Sequence, residues 1–375
     1  MSLKYCKICL QTNLRPGTIF SKDQVCPACN YYQKSTKVNW SERLEILKKI
    51  VQKKNEQYDC ILGVSGGKDS TRQALWVRDK LGLRPLLVCM SYPPEQVSET
   101  GVKNLSNLIN LGFDVIISMP DPVVWKKLMR ISFFKFGNWA KSTEYALFAF
   151  VPQLAIKYKI STILWGENPG LQVGDLKTLL KKGYDGNRLK FTNTLGNYKF
   201  DWLPHNLKKS KKLFPYTYPS DKEFKKNNLK IIYLGWFLKD WSLIENGNVS
   251  ITNGLEIRPK EAKNYGDIFR VTALDEDWVT LNQLIKYYKF GFGRATDYVN
   301  EEIRKGTLTR KEGINLVSKY DSKFSKKMIK NFCKYLKISE KSFWKVVLHF
   351  VNRDLFSVNK NVIKPKFKVG HDSDQ

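Results

Sequence analysis

The sequence predicts an α/β protein: a parallel sheet flanked by helices, an N-terminal metal-binding ribbon and a mostly helical C-terminal region. Short apolar runs at 60–64, 85–90, 114–118, 162–166 and 231–237 alternate with stretches of helical periodicity. Two Cys-x-x-Cys pairs stand ahead of the first run. Beyond the last run, apolar residues recur at three- and four-residue spacing, as at Leu281, Leu284, Ile285 and Tyr288.

Composition narrows the classes. With 375 residues, 42% of them hydrophobic, the chain can bury more than one core, and wholesale disorder is excluded. No apolar run approaches the ~20 residues of a spanning helix. The N-terminus lacks the apolar core of a signal peptide, so a soluble cytoplasmic protein with no membrane partner is expected. The formal net charge of +29 raises nucleic acid as a partner. Lysine outnumbers arginine several-fold, however, and is dispersed in short clusters. A general lysine bias explains this better than an RNA-binding surface, and the same field suits a phosphorylated small molecule.

In chain order, residues 1–36 carry Cys6-x-x-Cys9 and Cys26-x-x-Cys29, sixteen residues apart. Four thiolates at this spacing supply the tetrahedral shell of a structural Zn²⁺, with no coordination position left open. Residues 37–240 form the α/β domain. Asn39 to Glu42 reads as a capped helix start, followed by a helix to about Asn55. Helices are expected after the first run through Lys80, over 96–111, and twice between Pro122 and Lys159. Residues 171–228 read as an insertion, lysine-rich and poorly periodic, of the kind that forms lids or substrate loops. Residues 241–358 read as mostly helical, with a capping box at Thr309–Glu312 and an amphipathic segment at 343–350. Residues 359–375 read as a polar, frayed tail.

The first run leads into Ser65-Gly66-Gly67-Lys68-Asp69-Ser70. Adjacent glycines turn the chain sharply, and the N–H groups opening the next helix form an anion site. Lys68 adds a cation, Ser65 and Ser70 add hydroxyls, and Asp69 is a candidate Mg²⁺ ligand. The glycine spacing differs from the Walker-type phosphate loop. It resembles the PP-loop of ATP pyrophosphatases, the adenine nucleotide alpha hydrolase-like fold, which implies cleavage of ATP to AMP and pyrophosphate. The fourth run ends in Gly166-Glu167-Asn168-Pro169-Gly170, at the same sheet edge as the glycine turn. Gly166, Glu167 and Asn168 are candidates for nucleotide, metal or substrate.

Further on, Lys286 to Asp297 includes Lys289-Phe290-Gly291-Phe292-Gly293-Arg294, a helix end, a glycine loop and a helix restart near Asp297. Together with the paired cysteines, the glycine turn and Trp165-Gly166-Glu167-Asn168, this stretch resembles the N-acetyl sugar amidotransferase family of acetamidino-sugar biosynthesis, which serves bacterial lipopolysaccharide and flagellin glycans. The likeness runs in order from Cys6 to about Tyr320. It implies conversion of an N-acetyl group on a nucleotide-linked sugar to an acetamidino group, through an O-adenylated imidate attacked by ammonia. ATP and Mg²⁺ would then be held by Ser65, Gly66, Gly67, Lys68, Asp69 and Ser70, with Lys68, Asp69 and Glu167 catalytic. Lys286, Lys289 and Arg294 would hold the acidic sugar nucleotide.

The chief alternative is a PP-loop enzyme of tRNA thiolation, which also pairs a zinc ribbon with basicity. Many such enzymes need further catalytic cysteines, whereas Cys60, Cys89 and Cys333 are far apart in sequence. The three histidines, His205, His349 and His371, include none placed beside a nucleophile-like cysteine, so glutamine hydrolysis is not expected. The resemblance implies ammonia from a separate glutaminase working with a cyclase-like barrel subunit.

Overall fold

The computed structural model describes residues 2–52, 57–175, 182–191, 195, 199–258, 266–360 and 362–372. Five parallel strands form the central sheet: β1 (Cys60–Gly63), β2 (Pro85–Met90), β3 (Val115–Ser118), β4 (Thr162–Trp165) and β5 (Lys230–Tyr233). Their order is β3-β2-β1-β4-β5. Along β1, Cys60 and Leu62 belong to one buried cluster and Ile61 to another. Period-two alternation of apolar residues thus gives the sheet two apolar faces, each needing cover.

The chain passes through α1 (Pro27–Ser35) and α2 (Trp40–Ile50) before β1. Next, α3 (Lys68–Leu81) and α4 (Glu99–Asn110) pack through Ala74, Val77, Leu105 and Leu108 onto one face. Helices α5 (Pro122–Phe136) and α6 (Ala140–Lys157) cover the other through Trp125, Phe133, Ala146 and Val151. Strand β1 is followed outward by β2 and β3, and the chain then returns to lay β4 against the free side of β1. This reversal leaves a crevice beyond the C-terminal ends of β1 and β4. The glycine turn follows β1, and Gly166-Glu167 follows β4.

The fifth apolar run is shorter as a strand than expected, because Leu234–Trp236 turns into a 3₁₀ helix. Among its described residues the insertion holds the short helices α8 (His205–Lys208) and α9 (Asp221–Lys226), and α7 (Pro169–Val173) leads into it. Its residues 176–181, 192–194 and 196–198 lie outside the described residues. Where described, it packs by aromatic contact along the helical layer: Phe200 lies 5.5 Å from Tyr145, and Tyr216 lies 6.3 Å from Trp125.

A helix absent from the sequence reading, α10 (Leu243–Thr252), packs on α3. The rest of the chain supplies α11 (Val279–Phe290), α12 (Arg294–Lys305), α13 (Arg310–Tyr320), α14 (Lys326–Leu336) and α15 (Glu340–Phe350). Gly291, at φ 76°, ends α11, and the restart comes at Arg294 instead of near Asp297. The C-terminal helices share the core of α5, with Phe343 stacked 5.5 Å from Phe133. The expected frayed tail is a correction. Phe356–Asn359 (β6) and Val362–Pro365 (β7) form a hairpin, and Phe367 packs against Phe356. Beyond it, Asp372 Oδ1 accepts a hydrogen bond from the Tyr5 N–H at 2.7 Å. Among the described residues no helix is long and apolar enough to cross a membrane.

Gly66 fixes how closely the turn approaches α4. Its φ is 76°, and a Cβ there would meet the Leu105 nitrogen at 2.8 Å and the Asn104 carbonyl carbon at 2.9 Å. Gly82 has φ 64° but open space around it. In urea unfolding, Gly82→Ala should cost about 1–2 kcal/mol, the left-handed strain alone. Gly66→Ala should cost about 1 kcal/mol or more beyond that, because backbone cannot move aside. Equal costs would refute the close-contact account.

Candidate active site and metal centre

The crevice at the end of β1 and β4 is a cavity of about 370 Å³. Ser65, Gly67, Lys68, Asp69 and Ser70 line one side, with Gly166 and Glu167 beside them. Trp165 and Phe148, stacked at 5.2 Å, add an aromatic wall. The side facing the loop is Val271–Asp275 with Tyr298 from α12. A smaller pocket of about 210 Å³ shares Ser65, Met90 and Asp275 with it.

The loop is held from within. Ser65 Oγ accepts from the Gly67 N–H at 3.3 Å, and Ser70 Oγ donates to the Gly67 carbonyl at 3.0 Å. Gly67 caps α3 with no side chain, leaving the first turn of the helix open toward the cavity. Gly66 does not line the cavity; its part is the turn itself. Lys68 Nζ donates to Asp69 Oδ2 at 2.6 Å. Burial is the largest single influence and opposes the Lys68 charge, but Asp69, Tyr298 and Glu301 together outweigh it, and the lysine is held above its ordinary value. Burial, then the Asp69 charge, pushes Glu167 up to about 8. Its Oε2 is buried without a hydrogen-bond partner. An orphaned carboxylate oxygen across from a half-exposed Asp69 fits an oxygen-preferring divalent cation, which these two residues would hold.

Other sequence candidates lie elsewhere. Asn168 is buried, accepting from the Leu171 N–H and donating to the Gly235 carbonyl at 3.2 Å each. It lines a separate cavity of about 330 Å³ with Tyr31, Arg43 and Trp241. Lys286 is not presented to the cavity: it is ion-paired to Asp297 at 2.7 Å, and Asp297 also pairs with Arg15. Burial draws Lys286 below its ordinary value. Lys289 donates to the Phe136 carbonyl, and burial lowers it to about 8. Both cations are consumed by packing. Arg294 stands behind the cavity wall, donating to Thr272 Oγ1 at 3.1 Å. Sequence reasoning missed Thr272, Asp275, Tyr298 and α10, whose Asn246 bonds Asp69. No local motif marks them.

The four cysteines of the N-terminal segment come together, with their sulfurs within 4.8 Å of one another. A tetrahedral ion with sulfur ligands at about 2.3 Å sets them about 3.8 Å apart. Cys6 Sγ lies 3.9 Å from Cys29 Sγ, and Cys9 Sγ lies 3.7 Å from Cys26 Sγ. Backbone N–H groups of Ile8 and Gln11 point at the Cys6 and Cys9 sulfurs at 3.4 Å, as in a metal knuckle. The set fits a four-thiolate metal. The segment is fastened to α12: Asn300 Oδ1 accepts from the Leu10 N–H at 2.7 Å, and Arg304 reaches Cys9 Sγ at 4.0 Å.

Residues 261–369 match the family model described as LPS biosynthesis protein WbpG-like, C-terminal domain. That match spans the segment holding the Lys289–Asp297 run, in agreement with the resemblance drawn from the sequence. Among curated proteins none matches the chain. Among solved structures, the chain is similar to the U34-tRNA thiolase NcsA from Methanococcus maripaludis with its [4Fe-4S] cluster. That likeness has 14% identity, covers 89% of this chain and 95% of that one, and has a TM-score of 0.30.

Two outcomes follow from this geometry. Metal analysis of protein purified without chelator should find one thiolate-bound ion per chain, and Cys9→Ser should lose it together with folding stability. Glu167 has a folded pKa above its unfolded value near 4.5, so its folded form retains a proton and stability falls as pH rises from about 4.5 to about 8. In thermal unfolding without nucleotide, Glu167→Gln should therefore gain on the wild type progressively across that window. A gap independent of pH would show that the carboxyl is not buried as described.

Proposed function

We propose that the protein is an ATP-dependent, AMP-forming amidotransferase that converts the N-acetyl group of a nucleotide-linked sugar to an acetamidino group. The observation that carries this reading is the meeting of two parts at one cavity. The PP-loop-like turn forms one wall, and Val271–Asp275 with Tyr298, from the WbpG-like domain, form the wall facing it. A nucleotide-cleaving loop is thus opposed by a domain whose family description is lipopolysaccharide biosynthesis.

An amide carbon resists ammonia because its nitrogen donates into the carbonyl. Attack of the amide oxygen on the α-phosphorus of ATP, with loss of pyrophosphate, gives an O-adenylated imidate. Ammonia then adds to the imidate carbon, AMP departs with the oxygen, and loss of protons leaves the amidine. Lys68 and the N–H groups opening α3 bind and orient the phosphates and meet charge on the departing pyrophosphate. Asp69 and Glu167 would hold Mg²⁺, which supplies charge neutralisation when bound. The aromatic wall of Trp165 and Phe148 excludes water from the activated carbon. Zn²⁺ is the metal proposed for the cysteine cluster, in a structural role.

Sulfur transfer is less well served. Cys60, Cys89 and Cys333 are all buried, and burial pushes the Cys89 and Cys333 thiols up to about 12 and about 11. A raised thiol is a poor nucleophile. Ammonia is proposed to come from a separate glutaminase with its barrel subunit, since no histidine–cysteine pair in the chain resembles a hydrolytic site.

The test is mass spectrometry of ATP, candidate nucleotide sugars and ammonium with the purified chain. AMP, pyrophosphate and a sugar product about 1 Da lighter, from O replaced by NH, are expected. Glutamine alone should not substitute until the partner subunits are added. ADP and orthophosphate as main products, or thiolated tRNA, would overturn the assignment.

A further inference from the structure

Asp69 is gripped on both oxygens, by groups from different elements. Lys68, its neighbour on α3, donates to Oδ2 at 2.6 Å, and Asn246 of α10 donates through Nδ2 to Oδ1 at 2.6 Å. Asn246 is 1% exposed. Its amide cannot be turned round. Arg72, one turn along α3, donates through Nη1 to Asn246 Oδ1 at 2.7 Å, and a guanidinium has no acceptor to offer. Arg72 is fixed in turn by Asp240, through the backbone carbonyl at 2.9 Å and the carboxylate at 2.6 Å. The relay Asp240–Arg72–Asn246–Asp69 thus carries orientation from one end of α10 into the loop. Ser250 adds a second fastening, donating to the Lys68 carbonyl at 2.6 Å.

We infer that Asn246 is a positioning residue that keeps the Asp69 carboxylate aimed into the cavity when Lys68 turns to an anionic ligand. This rests on the proposed use of the loop for ATP. Lys68 cannot hold Asp69 and neutralise a phosphate with equal strength, so the carboxylate needs a holder that takes no part in binding. An amide suits the task because it is neutral. It orients the carboxylate without cancelling the charge that a cation–phosphate complex requires, whereas lysine or arginine at 246 would cancel it. Alanine would leave Arg72 and Asp69 each short of a partner. Aspartate would satisfy Arg72 but set a negative group against Asp69.

The experiment compares Asn246→Asp and Asn246→Ala with the wild type in thermal unfolding, in Mg²⁺–ATP binding by calorimetry and in pyrophosphate release with ammonium and the candidate nucleotide sugars present. Asn246→Asp should melt no lower than Asn246→Ala, since its bond to Arg72 becomes an ion pair that offsets the charge set against Asp69. It should nevertheless bind Mg²⁺–ATP more than tenfold more weakly and release pyrophosphate more slowly than Asn246→Ala. Asn246→Ala should weaken binding on the order of tenfold, the scale of one hydrogen bond to a charged group. Wild-type binding in Asn246→Asp, or losses that merely track a fall in melting temperature, would overturn the assignment. Should Asn246→Ala fail to fold, Asn246→Asp decides. A wild type that binds Mg²⁺–ATP but releases no pyrophosphate overturns the AMP-forming reading and leaves the binding arm to judge Asn246. Failure of the wild type to bind Mg²⁺–ATP overturns both.

Discussion

Asp297 meets Arg15 from the cysteine segment and Lys286 from α11 in a half-buried charge cluster. Without it the two cations would face one another, since burial, helped by the Arg15 charge, already draws Lys286 down. Helix α12, which carries Asp297, depends on this match, and much else depends on α12. Asp297, Asn300 and Arg304 recur at helical spacing and face the cysteine knuckles. Arg294 and Tyr298, on an adjacent face, meet Thr272 and the cavity. One helix thus relates the four-cysteine segment to the wall that opposes the glycine loop. The charge balance of Asp297 holds that relation in place.

The position of the site follows from topology and sterics together. Strand order alone opens a crevice where β1 and β4 part. Gly66 lets the turn settle against the α4 backbone, and Gly166 lets Gln73 and Trp241 approach where a side chain would collide. Gln73 donates to the Leu164 carbonyl at 2.7 Å, tying α3 to the end of β4. The loop that would bind phosphate and the carboxylate after β4 are therefore fixed to one another by packed backbone.

Much of this was legible in the sequence, and the division has a physical cause. The five strands, the glycine turn, the cysteine set and the capping box at Thr309 are local signals, each written within a few consecutive or evenly spaced residues. The paired cations Lys286 and Lys289 looked available because sequence shows charge but not burial; desolvation and neighbours turned them into structural groups. Asn168 read as a site amide and proved to cap α7. Asn246 and Asp275 were invisible for the opposite reason: their roles come from partners far away in the chain, Asp69 being 177 residues from Asn246. The tail reads as frayed in the sequence because Phe367 finds Tyr287 and Phe356 only in the folded chain.

The bond from the Tyr5 N–H to Asp372 bears on the order of events at the ribosome. The cysteine segment emerges well before the elements it docks on, and its four thiols can come together as soon as Cys29 is free. Its anchors come much later: Asp297 and Asn300 when α12 is complete, and Asp372 at the far end of the described chain. An undocked cysteine segment must therefore wait until α12 is made, with Leu3, Tyr5 and Leu10, which are buried in the finished protein, still lacking their cover. Docking of the cysteine segment becomes a late step of folding, and a chain cut short before α12 would leave it with nothing to close upon.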